Sequence, residues 1–390
     1  MKIVQENQFS SFELPKEYQN IKDEIHRLAQ EKIKPRAIEI DEEAQYPMDI
    51  LKLLSKQGYI GANMPEQYGG AGLDLLSFCL IVEEIARVCA SSSQVAVVQE
   101  LGALPIMIGG SEQLKNRFLP DLATGKKISA YALTEPSAGS DVRSLKTTAV
   151  RKGDEYILNG QKIFISNGGV ADVYSVFAKT ENGITAFVVE KGTPGFEVGK
   201  LEKKMGIKGS PTAQLYFENC MIPVGNRIGE EGEGWMIAMK TFDKSRPTVA
   251  AQALGIAQGA YDIALQYVQE REQFGNSISS FQSIQFMLAD MLTQIEAARG
   301  LVYRAAAKVN ELSSTGKNPQ LTQASSMAKM FASDTAMKVT TDAVQLLGGY
   351  GFIQEYQVER MMRDAKITQI YEGTNQIQRQ IIAKTILGGK

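Results

Sequence analysis

The spacing of apolar residues divides the chain into three successive segments, of which the first is helical. Apolar positions recur every three or four residues over 18–40 and again over 73–88, which predicts two helices. Residues 63–72 are rich in glycine and polar side chains, and they predict a loop between these helices. We therefore predict an N-terminal all-α domain over residues 1–127.

The second segment is rich in residues that favour β-strands. From about residue 128, short apolar runs alternate with turn signals such as Asn159-Gly160. The runs over 173–179, 184–190 and 214–217 predict strands. This texture predicts a middle domain over residues 128–233, built as an antiparallel β-barrel or sandwich.

Helical spacing returns after Gly234 and continues to the end of the chain. Runs over 241–273, 281–312 and 321–347 are long and rich in Ala, Met and Gln, which is typical of a helical bundle. We predict a C-terminal all-α domain, a four-helix bundle, over residues 234–390. The fold class is thus α+β, with three domains.

Composition narrows the classes of function. The 390 residues suffice for two or three domains with large cores, and the net charge of −2 gives no basic field for nucleic acid. No apolar run is long enough to span a bilayer, so no membrane partner is expected. Residues 1–7 lack a signal-peptide core and an Arg-rich leader, and a cytoplasmic location is therefore expected.

Several common kinds of site are disfavoured by residue counts. His26 is the single histidine, which excludes a His-based triad and a multi-His metal centre, so no metal is expected. Cys79 and Cys89 lack CxxC spacing and lie in apolar helical surroundings, where a small buried thiol is expected. The glycines at 229, 232 and 234 follow a turn, which disfavours a Rossmann site.

The tail of the chain carries a candidate base. Glu372 comes directly before Gly373, and Thr374 is a candidate N-cap for a helix that continues through Ile377 and Ile381. A carboxylate held at such a loop-helix junction is well placed for general base catalysis. An exposed acid at a helix start, favoured by the helix dipole, fits this motif equally well.

Two further motifs change that balance. Residues 131–142 read YALTEPSAGSDV, a short strand that leads into a loop of hydroxyls and small residues, and residues 159–168 read NGQKIFISNG. Such a loop can offer backbone N–H and side-chain O–H groups to an anion or a heterocycle. Together with the tail motif, these stretches resemble the acyl-CoA dehydrogenase family from about residue 12 to the last helix. The sequence FDKSRP at 242–247 resembles the medium-chain and short-chain, butyryl-type members.

The resemblance implies the helical, β and helical-bundle domains predicted above, together with a reaction. That reaction is the FAD-dependent α,β-dehydrogenation of an acyl-CoA thioester to the trans-2-enoyl-CoA. Glu372 would be the general base, hydride would pass to flavin N5, and electrons would pass on to an electron-transferring flavoprotein. The Glu372 N–H and a ribityl hydroxyl would hold the thioester oxygen. Some members carry the base at the position of Ser245, and the hydroxyl there leaves Glu372 without a rival.

The resemblance also implies the ligand contacts. Family members usually have Trp at the position of Phe164, so this ring keeps a stacking face but loses the indole N–H. Arg271 and Gln345 would reach the FAD of a neighbouring subunit, which implies a homotetramer built as a dimer of dimers. The implied cofactor-binding residues are Tyr131, Leu133, Thr134, Gly139, Ser140, Phe164, Ser166, Arg271, Gln273, Phe274, Gln282, Gln345, Leu346, Gly348, Gly349, Thr374 and Gln376. The implied substrate-binding residues are Ser140, Asp243, Arg246, Tyr371 and Gly373.

Structural roles compete at several of these positions. Phe164 could be a core aromatic, and Arg271 a solvated cation at a helix end. Asp243 and Arg246 are three residues apart on a helix and could form only an intrahelical salt bridge, which contributes little. Residues 345–349 could serve only as a helix C-cap.

The sequence also fits rival functions. An acyl-CoA oxidase would use oxygen as acceptor, although such chains are usually much longer. A CoA-binding scaffold without chemistry is disfavoured by the intact Glu372 and flavin loop. Glu100 lies on the helix that lines the acyl pocket in the family, where straight-chain members more usually have a small polar residue. It could act as a second acid/base on a cyclic or functionalised acyl-CoA, or be a solvated or hydrogen-bonded acid that faces away.

Overall fold

In the sequence, a block of helices precedes the β-sheet and a second block of helices follows it. The computed structural model describes residues 14–312 and 318–388. The segment 1–7, for which no signal peptide is expected, lies outside this part, as do the outermost residues of the first and third predicted domains.

The N-terminal block is helical, as predicted. The predicted helix over 18–40 is divided into two helices near Pro35. A π-helical turn over 29–33 and a 3₁₀ turn over 34–36 separate them. A proline lacks the N–H that a continuous helix needs, which accounts for the break. The helices are α1 (Lys16–Leu28), α2 (Ala37–Glu43), α3 (Met48–Lys56), α4 (Leu75–Ala86), α5 (Ala90–Gly109) and α6 (Glu112–Ala123).

Two of these helices lie at the centre of the molecule. All 12 residues of α4 are buried, and α5 buries most of its length, including the carboxyl-bearing Glu83, Glu84 and Glu100. The Asp74 side chain caps α4 by accepting a hydrogen bond from the Ser77 N–H (2.8 Å). A helix that is apolar on all faces needs partners all round, and α4 finds them in α1, α5, α7 and α8.

The middle block is one eight-stranded sheet. Its strands are β1 (Ser129–Ala132), β2 (Thr148–Lys152), β3 (Glu155–Ser166), β4 (Val173–Thr180), β5 (Gly183–Glu190), β6 (Phe196–Leu201), β7 (Thr212–Pro223) and β8 (Arg227–Ile228). The order is β6-β7-β3-β2-β4-β5-β8, with β1 beside β4. Most pairs are antiparallel, but β1 and β2 both run parallel to β4, so the prediction of a purely antiparallel domain was wrong on this point. Parallel pairing needs long crossovers that a local pattern does not reveal.

The C-terminal block is again helical. Its helices are α7 (Gly234–Glu270), α8 (Gln282–Leu312), α9 (Pro319–Leu347), α10 (Val358–Thr368) and α11 (Asn375–Ile386), and a hairpin of β9 (Glu272–Gln273) and β10 (Asn276–Ser277) joins the first two. The prediction that a helix runs to residue 273 was therefore wrong: α7 starts seven residues earlier than predicted and ends at Glu270. Phe274 and Gly275 form the hairpin tip with φ of 53° and 78°, the geometry of a two-residue type I′ turn.

The three blocks share their cores. One apolar cluster joins α4 and α5 to the long helices and to one face of the sheet, and a second lies between α6, the sheet and the start of α7. Cys79 and Cys89 are buried free thiols, as predicted, and Cys220 is a third. Across the described residues, the helices are all too short or too polar to cross a membrane.

Candidate active site

Glu372 lies in the turn between α10 and α11. Its φ is 53° and that of Gly373 is 94°, so two successive residues adopt left-handed backbone. A non-glycine residue rarely adopts this conformation without support from its surroundings. The Thr374 hydroxyl accepts a hydrogen bond from the Ile377 N–H (3.3 Å), which confirms Thr374 as the N-cap of α11. Glu372 therefore lies in a turn whose geometry is fixed at one end by the capped start of α11.

The carboxyl of Glu372 is enclosed and partly satisfied. Ser245, on α7, donates a hydrogen bond from Oγ to Glu372 Oε2 (2.6 Å), while Oε1 is buried without a partner among the described residues. Burial raises the pKa of Glu372 to about 7, although the Ser245 hydrogen bond and the charges of Arg246 and Lys329 act to lower it. A carboxyl with such a pKa exchanges protons readily near neutral pH, and its free oxygen could accept one.

Side chains hold the backbone of this turn from the protein side. The Glu372 carbonyl accepts hydrogen bonds from Gln378 Nε2 (3.1 Å) and Arg246 Nε (3.5 Å). The Gly373 carbonyl accepts from Gln378 Nε2 (2.9 Å) and Lys329 Nζ (2.8 Å). Gln378 and Lys329 were not foreseen, because neither interrupts the ordinary pattern of its helix.

Asp243 and Arg246 lie beside the turn on α7. They form the intrahelical ion pair considered above, with 3.5 Å between Arg246 Nη1 and Asp243 Oδ1. Arg246 is only 4% exposed and also contacts the Glu372 carbonyl, so its role is not limited to a solvated salt bridge. Asp243 is fixed by a hydrogen bond from the Thr322 hydroxyl (2.7 Å) of α9. The pair thus bridges α7, α9 and the Glu372 turn.

Tyr371 anchors the turn on its other side. Its hydroxyl donates to Gln252 Oε1 on α7, and the Gln252 amide donates in turn to Gln94 Oε1 and Ser93 Oγ on α5 (2.8 Å each). The sequence predicts Tyr371 as a substrate-binding residue, but it does not predict this series of buried hydrogen bonds, because no motif marks the residues that form it. Two central helices are thereby connected to the residue next to Glu372.

The loop after β1 places its residues beside this region. The Tyr131 ring packs against Phe177 (5.0 Å between centroids) and Phe242 (5.7 Å), and its hydroxyl is buried without a partner among the described residues. The Thr134 carbonyl accepts from the Ile163 N–H (3.0 Å), which joins the loop to β3. Gly139 has no atom within 4 Å of the place a Cβ would take, and Ser140 is exposed.

A buried ion pair between Lys162 and Glu135 stabilises this loop. Lys162 Nζ lies 2.8 Å from Glu135 Oε1 and also donates to the Leu133 carbonyl (3.1 Å). Glu135 Oε1 accepts a further hydrogen bond from the Thr147 N–H (3.0 Å), at the far end of the loop. The pair therefore fixes both ends of the segment that carries Thr134, Gly139 and Ser140, and no feature of the motif predicted it.

Phe164 is not a core residue. It has a φ of 59° and lies where the pairing of β3 with β7 shifts register between Lys162 and Ile165, which is a β-bulge. A bulge re-aims the side chain, and Phe164 is 62% exposed. Ser166 follows at the end of β3 and is half-buried. The alternative of a core aromatic is thus wrong.

A second group of predicted residues lines a separate cavity of 460 Å³ at the end of the long helices. The predicted residues in its wall are Arg271, Gln273, Gln345, Leu346, Gly348 and Gly349. Arg271 lies over the ring of Tyr350 (5.6 Å), and no carboxylate of the described residues lies within 4.0 Å of it. A guanidinium stacked on a ring and free of carboxylates is suited to a phosphate.

The remaining predicted residues lie outside that wall. Phe274, at the hairpin tip, is 92% exposed, and Gln282 is exposed at the start of α8. Gln376 is exposed on the first turn of α11. The cavity wall contains no residue of the sheet or of the Glu372 turn, so one chain does not bring the two groups of residues together.

Glu100 is a buried acid close to this site. It is 1% exposed, accepts a hydrogen bond at Oε1 from the Asn63 amide, and leaves Oε2 without a partner among the described residues. The Thr248 hydroxyl lies beside its carboxyl. Burial raises the pKa of Glu100 to about 8, and the charge of Glu372 adds to that rise. Glu100 is therefore hydrogen-bonded and not solvated.

Family models for the three domains of the acyl-CoA dehydrogenases match the chain in order. The N-terminal domain matches residues 15–126, the middle domain 130–220 and the C-terminal domain 232–387.

Individual relatives are similar over nearly the whole chain. The cyclohexane-1-carbonyl-CoA dehydrogenase of Geobacter metallireducens is 47% identical over 96% of this chain and 99% of its own. The solved butyryl-CoA dehydrogenase of Megasphaera elsdenii is 47% identical, with a TM-score of 0.92 over 97% of this chain and all of its own. A solved chain described as the electron-transferring flavoprotein of Acidaminococcus fermentans is 50% identical. Its TM-score is 0.93, over 97% of this chain and 100% of its own. Two other solved relatives, from Mycobacterium smegmatis and Bacillus anthracis, hold FADH2 and FAD.

Proposed function

The chain belongs to the acyl-CoA dehydrogenase family of FAD-dependent oxidoreductases, and we propose that it oxidises an acyl-CoA thioester to the trans-2-enoyl-CoA with Glu372 as the base. The observation that carries this proposal is the Glu372 carboxyl. One of its oxygens is held by Ser245, and the other is buried without a partner among residues 14–312 and 318–388. The α-proton of a thioester is only weakly acidic, so a base must be close, enclosed and partly desolvated.

The backbone of the same turn suits the thioester oxygen. In the described part of the chain the Glu372 N–H has no acceptor, whereas the carbonyls of Glu372 and Gly373 are both tied to side chains. A donor that is fixed and unused before substrate binds can stabilise negative charge as it develops on that oxygen. Glu372 would then take the α-proton at Oε1 while its own N–H holds the oxygen.

The residues around the loop after β1 fit a flavin. The space at Gly139 and the exposed face of Phe164 leave room for a planar heterocycle, and the Tyr131 hydroxyl, which has no partner in the described part of the chain, offers it a polar contact. When bound, FAD supplies the electron acceptor for the hydride that leaves the β-carbon. Ser140, together with Asp243 and Arg246 of α7, would hold the CoA side of the substrate.

A second copy of the chain would complete the flavin site. The cavity at Arg271 lies apart from the loop after β1. Two aromatic residues that follow or precede its wall residues in sequence are exposed: Phe274 (92%), next to Gln273, and Phe352 (83%), next to Ile353. Large exposed apolar groups of this kind commonly mark protein interfaces. We infer that this face meets another subunit, and that the enzyme is a homotetramer built as a dimer of dimers.

The electron acceptor is proposed to be an electron-transferring flavoprotein. Support comes from the similarity to the solved chain that is described as the electron-transferring flavoprotein of Acidaminococcus fermentans. An oxidase would instead return electrons to oxygen. Reduction of the purified enzyme by substrate, followed by mixing with air-saturated buffer, separates the two, because an oxidase reoxidises within its turnover time.

The test of the main proposal is a panel of acyl-CoA thioesters of different length, assayed with an artificial electron acceptor. The purified protein should be yellow and should oxidise at least one member of the panel. Glu372→Gln should bind FAD and the same thioester but lose turnover by about 10²–10⁴-fold. Half of the wild-type activity in this variant, or a colourless wild type that oxidises nothing, would contradict the proposal.

A second candidate function is supported by Glu100. Ser245, which contacts Glu372, and Thr248, which lies beside Glu100, are three residues apart on one face of α7. The two acids therefore face neighbouring positions of α7, and the charge of Glu372 acts on the carboxyl of Glu100. A second acid so placed could remove a proton beyond the β-carbon of a cyclic or functionalised acyl-CoA.

The similarity to the cyclohexane-1-carbonyl-CoA dehydrogenase of Geobacter metallireducens also favours a cyclic substrate for this chain. The test compares wild type and Glu100→Gln on butyryl-CoA and on cyclohexane-1-carbonyl-CoA. Loss of activity on the cyclic thioester alone would support a catalytic Glu100. Equal rates on both substrates would leave it as a hydrogen-bonded structural acid.

A further inference from the structure

Lys329, on α9, is buried directly beneath the Glu372 turn. It is 1% exposed, and its Nζ donates to the Gly373 carbonyl (2.8 Å) and to Asn375 Oδ1 (2.9 Å). Both acceptors are neutral, and within the described ranges no carboxylate oxygen lies within 4.0 Å of this ammonium. A lysine in such surroundings is unusual, because buried charges normally pair with an opposite charge.

Stabilisation of α11 does not explain the lysine. That helix begins at Asn375, so the ammonium lies at its N-terminus. The helix dipole makes this end partly positive, and a cation there is unfavourable. Its cap is already supplied by the Thr374 hydroxyl.

The acids that act on Lys329 are few. Glu372 is the strongest of them and Asp334 a weaker one, while Arg246 repels it from α7. Asp334 is already paired with Arg379 of α11 (2.9 Å), and Asp243 with Arg246. Glu372 is therefore the acid whose charge remains to compensate the buried ammonium.

The contact to Gly373 also bears on geometry. Glu372 and Gly373 both adopt left-handed backbone, a conformation that a residue with a side chain, such as Glu372, keeps only with support from its surroundings. The Glu372 carbonyl is held by Gln378 and Arg246, and the Gly373 carbonyl by Gln378 and Lys329. If Lys329 is removed, Gln378 is the one remaining side chain of the described residues that donates to the Gly373 carbonyl.

We propose that Lys329 is a positioning residue of the active site, which fixes the Glu372 turn through the Gly373 carbonyl and, together with Arg246, supplies the positive charge that keeps Glu372 ionised before substrate binds. This inference deepens the function proposed above and rests on it for the role of Glu372 as base. The two cations also remain when the α-C–H bond breaks and an O–H bond forms on Glu372. Negative charge then moves from the carboxylate to the thioester oxygen, and the net charge of the enclosed site does not change.

The acid and the lysine titrate as a coupled pair. Burial lowers the pKa of Lys329 to about 7, with the charge of Glu372 opposing that fall, and burial raises the pKa of Glu372 to about 7. The charge of each group thus stabilises the charged form of the other. Loss of the ammonium should raise the pKa of the carboxyl.

The test follows the ionisation of Glu372 without substrate. An infrared difference titration of the FAD-loaded enzyme follows the protonated-carboxyl band, which is assigned by its loss in Glu372→Gln. Lys329→Gln can still donate a hydrogen bond to Gly373 but carries no charge, and the pKa of Glu372 should rise by about one unit or more, a tenfold change in its proton affinity. Lys329→Arg keeps the charge and should restore the wild-type value. Lys338→Gln, on the solvent side of α9, is the matched control and should also titrate as wild type.

Turnover of an acyl-CoA thioester is measured separately. In Lys329→Gln the acid limb of the kcat profile should move to higher pH by the same amount as the infrared titration. An unchanged Glu372 titration in a folded, FAD-loaded Lys329→Gln overturns the role of Lys329, even if the enzyme is fully active. A shifted titration in a protein that oxidises no acyl-CoA supports Lys329 and overturns the proposed function instead. If Lys329→Gln does not retain FAD, the FAD content and the Glu372 titration are measured in Lys329→Met and Lys329→Arg. Wild-type behaviour in the arginine variant alone supports the proposal. Wild-type behaviour in neither variant overturns it.

Discussion

Ser245 Oγ donates a 2.6 Å hydrogen bond to Glu372 Oε2, across 127 residues of sequence. The resemblance to the acyl-CoA dehydrogenases had drawn attention to Ser245 because some members carry their base at this position. Here the serine contacts Glu372, the base that we propose, which comes from the other end of the domain. The two positions therefore lie next to each other in the fold.

The first prediction follows from this contact. A hydrogen bond to a carboxylate stabilises its ionised form, so Ser245→Ala should raise the pKa of Glu372 above its value of about 7. A base works when ionised, and the acid limb of the kcat profile should move to higher pH by about one unit. At pH 6 the variant should be slower than wild type, and at pH 9 nearly equal to it. Ser245→Thr keeps the hydroxyl and serves as the control; superimposable profiles of wild type and Ser245→Ala would refute the prediction.

Local chemistry predicted part of this site. Glycine after Glu372 and threonine before the helix predicted a capped turn, and the structure confirms the Thr374 cap. The helices over 281–312 and 321–347 were also predicted to within two residues, because their apolar spacing is long and regular.

Contacts between distant segments were not predictable in the same way. Lys329 lies in a helix of alanine, serine and methionine whose pattern shows only that the position is helical. Its contact with Gly373 depends on how α9 packs against the turn, which no local signal reports. The same holds for the parallel pairing of β1 with β4 and for the Glu135–Lys162 pair. Phe164 is a related case, since a bulge that turns a strand residue outward depends on the partner strand.

The second prediction concerns Arg271. If its guanidinium holds the FAD pyrophosphate of a neighbouring subunit, Arg271→Ala should weaken FAD binding by about 10- to 100-fold, the effect of losing a hydrogen bond to a charged group. The oligomer should dissociate at higher protein concentration than wild type, because the cofactor bridges the subunits. Flavin content and sedimentation are measured on the same samples. Arg304→Ala, on an exposed arginine of α8 outside that cavity wall, is the control. A monomer that keeps its FAD tightly would contradict both the site and the assembly.

The third prediction concerns Phe164. Its exposed ring lies at the rim of the proposed flavin site, on the route by which electrons would leave. Phe164→Trp should change the rate of electron transfer to an electron-transferring flavoprotein several-fold, because the larger ring alters the contact with that partner. Flavin reduction by acyl-CoA, measured by stopped flow on the same enzyme, should change much less. Equal changes in both half-reactions would show that Phe164 is not on the exit route.

The last prediction concerns the stability of the fold and the pH. Glu100 has a pKa near 8 in the folded chain, well above the ordinary value of 4.5, so the folded state binds its proton more tightly than the unfolded state does. The resulting stability is fully present below about pH 4.5 and is lost as the pH rises through 8. Glu100→Gln mimics the protonated form at every pH and does not lose this stability. The variant should melt close to wild type at pH 5 and several degrees above it at pH 9, with a free-energy difference on the order of 3 kcal/mol or less. Glu155→Gln, on an exposed strand residue, controls for the change of charge alone. A melting-temperature difference between wild type and Glu100→Gln that stays constant from pH 5 to 9 would show that Glu100 is already solvated when the protein is folded, and with it the case for a second acid beside Glu372 would fall.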